Sequence, residues 1–148
     1  MILLLCFLLI TKKIFFWKKN NNVQKEDFSF ISHRGYHKYS SENSIEAIKN
    51  AKEKNFKAIE IDVFPSKDNK IFCSHNIDLE RKTRARGFLD EMLSKDLFKI
   101  KDRHKKSLCV PPLEAVFKKF KDNKVTWILD IKTKNIFHIK HVLKIMNL

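Results

Sequence analysis

Ala58-Ile59-Glu60-Ile61-Asp62-Val63 decides the reading of this chain. Ile59, Ile61 and Val63 alternate with Glu60 and Asp62, the period-two pattern of a strand with one buried face. Two carboxylates then share the other face, about 6.5–7 Å apart at the Cα level. Charged groups in an otherwise buried run are costly unless paired or bound to a metal. At this spacing both can turn toward one hard cation with oxygen ligands at roughly 2.0–2.6 Å. Alone, a Glu-x-Asp strand is as readily the solvated face of an antiparallel edge.

Working outward, Phe28–Ser32 is a short apolar run that opens into His33-Arg34-Gly35. Asn43, with Glu46 three residues on, predicts a helix start resembling a capping box. Ile45, Ala47, Ile48 and Ala51 carry that helix to about Asn55. Ile71–His75 reads as another strand, and a helix is expected around Leu89–Lys99. Pro111 and Pro112 precede a helical pattern over Leu113–Phe120. Val125–Lys132 gives a fourth strand, and Ile136–Met146 closes as an amphipathic helix. Strands alternating with helices predict βαβ units and a parallel sheet. Polar residues recur at the strand ends: His33, Glu60, Asp62, His75, Asp130 and Lys132. Catalytic groups in a (β/α) barrel come from those ends.

Composition narrows the partners. The 148 residues carry 31 Lys and Arg against 17 Asp and Glu, a net charge of +14. Nucleic-acid readers lean on clustered arginine with interleaved aromatics. Here only five of the 31 basic residues are arginines, Arg34, Arg81, Arg84, Arg86 and Arg103, and the lysines are spread along the chain, so no nucleic-acid partner is expected. The charge instead favours phosphorylated substrates and anionic head groups. Cys6, Cys73 and Cys109 form no CxxC pair, so neither a disulfide framework nor a thiolate metal site is indicated.

Residues 1–19 stand apart. Met1–Ile10 is almost wholly apolar, and lysines follow at 12, 13, 18 and 19 around Ile14–Trp17. The run is half the length of a spanning helix and lacks the marks of a secretory signal. It reads as an interfacial anchor with lysines at head-group level, which makes the expected location membrane-associated. Residues 20–27 read as a linker, and 28–148 as the folded domain.

The ordered motifs resemble the glycerophosphodiester phosphodiesterase family. They are His33-Arg34-Gly35, Glu42-Asn43-Ser44, Glu60-Ile61-Asp62-Val63, Ser66-Lys67-Asp68 and His75-Asn76. Leu79-Glu80-Arg81-Lys82-Thr83, Gly87, Pro111-Pro112-Leu113-Glu114 and Asp130-Ile131-Lys132 complete the series, over about residues 28–145. The resemblance implies a TIM-type (β/α) barrel, of which four β/α units are expected here. It implies Mg²⁺ or Ca²⁺ held by Glu60, Asp62 and Asp130, with Glu42 as a further ligand or a neighbour of the site. It implies His33 and His75 as the acid/base pair and Arg34 and Lys132 on the phosphate of a glycerophosphodiester. The family's usual Glu is Asp130 here, and its usual Asp after the second histidine is Asn76. The implied reaction releases glycerol 3-phosphate and an alcohol. Alternatives are a truncated or degenerate copy with little activity, and a lysophospholipase D-like relative acting on lipid head groups. Four strands are half a barrel, so the expectation is a fragment, or a homodimer if the chain is complete.

Overall fold

The computed structural model describes residues 30–101, 110–120, 125–133 and 135–146. At its centre is β2, Ala58–Pro65, which the alternating pattern foretells but which runs two residues further. Strand β1, Ile31–His33, lies parallel to it, with Ile31 opposite Ala58 and His33 opposite Glu60. On the other side β4, Thr126–Ile131, is also parallel, with Asp62 opposite Asp130.

The third strand departs from expectation. β3, Ile71–Cys73, runs antiparallel to the end of β2, with Val63 opposite Cys73 and Pro65 opposite Ile71. The connection is Ser66–Lys70, and its length explains the difference. A parallel partner needs a crossover of a dozen or more residues, and five allow only a hairpin. Asn69 takes a φ of 62°, and the Ser66 N–H donates to the Lys70 carbonyl at 2.7 Å. The described sheet therefore has three parallel strands in the order β1-β2-β4 plus one hairpin strand, instead of four β/α units. Since Val63 pairs with both Cys73 and Ile131, β3 continues the side of β2 that β1 begins.

Helix α1, Ile45–Glu53, links β1 to β2. Its N-cap is Ser44, whose hydroxyl accepts from the Ala47 N–H at 3.1 Å; the cap falls one residue after the expected Asn43. The expected helix around Leu89–Lys99 resolves into a 3₁₀ turn, Leu89–Glu91, and a short α2, Ser94–Leu97. Asp68 in the hairpin turn accepts from both the N–H and the hydroxyl of Ser94, at 2.8 and 2.6 Å, and so fastens α2 to the turn. The Ser94 and Ser66 hydrogen bonds hold the Asp68 carboxyl down to about 2. Helices α3, Leu113–Phe120, and α4, Ile136–Met146, match their sequence patterns.

These elements form two cores. Ile59, Ile61 and Val63 of β2 pack with Ile48 and Ala51 of α1, Leu113, Val116 and Phe120 of α3, and Val142 and Ile145 of α4. Each large aliphatic side chain so buried contributes about 1.5–3 kcal/mol. Phe72, Leu79, Leu89, Leu97 and Val110 form a second cluster at the hairpin end of the sheet. On β2, all three helices thus meet the Ile59/Ile61/Val63 face. Glu60 and Asp62 project from the other face, as the alternation requires.

Residues 1–29 lie outside the described residues, so the anchor and linker readings do too, as do Cys6 and Cys109. Cys73 is buried and free, and burial pushes its thiol pKa up. Among the described residues no helix is long and apolar enough to cross a membrane.

Candidate metal centre and phosphate site

Strand register assembles the site. In a parallel sheet, residues opposite one another share a face, so His33 stands beside Glu60 and Asp130 beside Asp62. One carboxylate oxygen from each of Glu60, Asp62 and Asp130 lies within 4.8 Å of the others. That donor set, three hard oxygens and no sulfur or imidazole, fits Mg²⁺ or Ca²⁺ better than a soft transition metal. Asp62 is 1% exposed, whereas the Asp130 side chain is half exposed on the outer strand.

A buried carboxylate needs partners, and that of Asp62 has three, Asn43, Lys132 and Arg34. Asn43 donates from Nδ2 to Oδ2 at 2.9 Å, and its Oδ1 accepts from the Asp62 N–H at 3.0 Å. Lys132 Nζ sits 3.0 Å from Oδ1, and Arg34 Nε 3.1 Å from Oδ2. The Arg34 Nε–H is not aimed at the carboxylate, so that contact is coulombic, without a formed hydrogen bond. Lys132 also donates to Asp130. Its pairing with Asp130 and Asp62 pushes the lysine pKa above its ordinary value.

The turn after β1 supplies the other wall. Arg34 and Gly35 both have positive φ, 57° and 75°, and reverse the chain directly after His33. A side chain at position 35 would meet the Ala47 backbone at 2.7 Å, so only glycine fits this approach. The turn aims the Arg34 N–H at Glu60 Oε2, 2.9 Å away, while His33 Nε2 lies 3.8 Å from the same oxygen. Arg34 Nη1 reaches Glu42 Oε2 at 3.1 Å, and Lys82 donates to the other Glu42 oxygen. Burial raises the Glu42 pKa, but Lys82 and then Arg34 outweigh it and hold the carboxyl down to about 2. Glu42 is thus ionised and engaged by two cations, beside the acidic trio but outside it.

His75 lies two residues past the end of β3. The neighbouring Ser74 N–H donates to the Asp62 carbonyl at 3.0 Å, which ties this segment to the site strand. His75 Nδ1 meets Asn76 Oδ1 at 2.9 Å. Asn76 thus sets an uncharged amide against the His75 ring.

Of the residues singled out from sequence, the structure joins Glu60, Asp62, Asp130, Arg34, Lys132 and Glu42 in one ion-paired network, with His33 at its margin beside Glu60. His75 contacts Asn76, and its segment reaches the network through the Ser74 backbone. Two further members are Asn43 and Lys82. In the sequence Asn43 signals a helix start; in the structure it takes the left-handed backbone, at φ 57°, and braces Asp62. Lys82 carries no local signal, because its partner Glu42 is forty residues away.

The chain is similar to known proteins in both sequence and fold. The YhdW protein of Bacillus subtilis (strain 168) is 31% identical over 107 residues, covering 69% of this chain and 44% of its own. The crystal structure of glycerophosphodiester phosphodiesterase from Agrobacterium tumefaciens str. C58 superposes with a TM-score of 0.70 at 23% identity, over 79% of this chain and 52% of that one. An Oleispira antarctica phosphodiesterase, solved in complex with its product sn-glycerol-3-phosphate, gives 0.68 at 23% identity, over 77% and 51%. The chain spans about half the length of these relatives. The Glycerophosphoryl diester phosphodiesterase family profile matches residues 33–146, from the first histidine of the site to the last residue of α4. By that match over most of its length, the chain belongs to the glycerophosphoryl diester phosphodiesterase family.

Proposed function

We propose that the chain carries the reaction centre of a metal-dependent phosphodiesterase that cleaves glycerophosphodiesters to glycerol 3-phosphate and an alcohol. The observation that carries this reading is the convergence of Glu60, Asp62 and Asp130 within 4.8 Å, beside two cations, Arg34 and Lys132. A divalent ion bound there supplies Lewis-acid stabilisation of charge on the phosphoryl oxygens. Glu60, Asp62 and Asp130 would hold it, with Mg²⁺ and Ca²⁺ both suited to the oxygen set. Arg34 offers a planar fork and Lys132 a point charge to the phosphate, and together they neutralise its developing negative charge. His33 and His75 divide the proton transfers. One takes a proton from the water that attacks phosphorus, and the other protonates the alkoxide as its P–O bond breaks, which leaves glycerol 3-phosphate and the free alcohol. The side chain of His33 is 65% exposed, open to a substrate at the strand end. The three parallel strands in consecutive order are what the opening of a (β/α) barrel requires, and we place them there.

The test is release of glycerol 3-phosphate from glycerophosphocholine by the full chain with Mg²⁺ or Ca²⁺. His33→Gln and His75→Gln should each lower turnover at least about a hundredfold, the scale of a lost acid or base. Near-full activity in either variant, with unchanged metal binding, would remove the two-histidine scheme.

A further inference from the structure

We propose that the loop Asp78–Phe88 recognises a second negative charge on the alcohol half of the substrate, so that the preferred diesters have an anionic leaving group. The inference rests on the phosphodiesterase reading and deepens it. Three of the five arginines in the sequence, Arg81, Arg84 and Arg86, lie within six residues of this loop. All three are exposed, whereas Leu79 and Thr83 between them are buried.

The loop is built, with defined closure. The Leu79 N–H donates to the Gly87 carbonyl at 3.1 Å, and Asp78 pairs with Phe88 as an isolated bridge. Inside, the Thr83 hydroxyl donates to the Leu79 carbonyl at 2.7 Å and accepts from the Ala85 N–H at 2.9 Å. Leu79 anchors the loop in the second core. Lys82 points inward and is spent on Glu42, which also holds Arg34. Lys82 therefore clamps the loop against the residue that is bonded to the phosphate-facing arginine. Glu42, Ser74, Asp78 and Lys82 line one small cavity, so the loop adjoins the segment that leads to His75.

The loop's own carboxylates do not cancel this charge. Asp78 accepts from the Arg81 N–H at 3.3 Å and so faces the backbone. Glu80 is the other, one carboxylate against the three arginines. The scissile phosphate already has Arg34 and Lys132. Three further arginines on the loop that Lys82 fastens to Glu42 exceed what a neutral alcohol requires, and guanidinium is the cation suited to a second phosphate or carboxylate.

The experiment compares sn-glycero-3-phosphoglycerol with the same diester phosphorylated on its distal glycerol, using the full chain with Mg²⁺. The phosphorylated diester should show a KM lower by at least about tenfold, a margin that shrinks with salt. R81Q/R84Q/R86Q should abolish that margin while altering the KM for the unphosphorylated diester less than about twofold, as expected of charges that meet only the second anionic group. Calorimetric binding of the phosphorylated diester to the His33→Gln protein reads recognition apart from chemistry. Loss of that binding on adding the triple substitution supports the loop's role even if neither diester is hydrolysed, in which case the phosphodiesterase reading falls alone. Hydrolysis of both diesters with equal KM, unchanged by the triple substitution, overturns the loop's role and leaves the phosphodiesterase reading standing. Loss of binding to phosphatidylglycerol vesicles, with discrimination between the soluble diesters intact, overturns it as well.

Discussion

Replacing Asn43 with alanine should be among the most destabilising changes on the surface of the sheet that holds the site. The side chain is 1% exposed and makes two hydrogen bonds to Asp62, one to its carboxylate and one from its backbone N–H. Losing a bond to an ionised group costs about 1.5–3 kcal/mol, and an orphaned buried N–H costs about 1–3 kcal/mol more. Alanine must also adopt φ 57°, which adds about 1 kcal/mol that glycine would not incur. The terms sum to about 3.5–7 kcal/mol, and even a value near the lower end, about 4 kcal/mol, is a large share of the roughly 5–15 kcal/mol that holds such a domain together. For a domain of this size it corresponds to a fall of about 12–20 °C in Tm. Thermal melts and guanidinium titrations of the full chain, compared for Asn43→Ala and Asn43→Gly, provide the assay. A loss below about 1 kcal/mol for Asn43→Ala, or no advantage of glycine over alanine, would refute the assignment of Asn43 as the buried brace of Asp62.

Three other outcomes are expected. Glu42 has a folded pKa of about 2 against an ordinary value of 4.5, so its contribution is present above pH 4.5 and lost as pH falls toward 2. That loss should be about 2–3 kcal/mol, and acid titration of Glu42→Gln should show a correspondingly flatter stability profile in this window. Gly35→Ala should lower stability by at least about 2 kcal/mol in denaturant melts, because the new Cβ meets backbone and the residue must keep a positive φ. Residues 1–19 should bind the full chain to vesicles of anionic phospholipid, weakening in salt without being abolished. Equal sedimentation of the full chain and a chain starting at Val23 would remove that reading.

The strand pattern was the most legible part of the sequence. Ile59, Ile61 and Val63 are each fully buried, and Glu60 and Asp62 share the opposite face. Helices α3 and α4 also match to the residue, since their apolar stripes meet one continuous core. The direction of β3 was encoded in the five-residue connection before it, a stronger signal than the general alternation of strands and helices. Asn43 read as a cap because capping and left-handed turns favour the same small polar residues. Its true partner lies nineteen residues on, and Lys82 meets Glu42 across forty. Such pairings depend on how the β1 turn and the loop after β3 approach each other in space. Local pattern carries no trace of them. The acidic trio was legible because two members share one strand and the third sits opposite in register.

Calorimetric titration of Mg²⁺ or Ca²⁺ into the full chain bears most directly on the reading of the acidic trio as a cation site. One ion should bind per chain at millimolar concentration or below. Asp130→Asn should weaken it at least about tenfold, because a half-exposed ligand on the outer strand can be changed with little effect on folding. No heat of binding from a folded chain, or undiminished binding in Asp130→Asn, would contradict the assignment of Glu60, Asp62 and Asp130 as a metal centre.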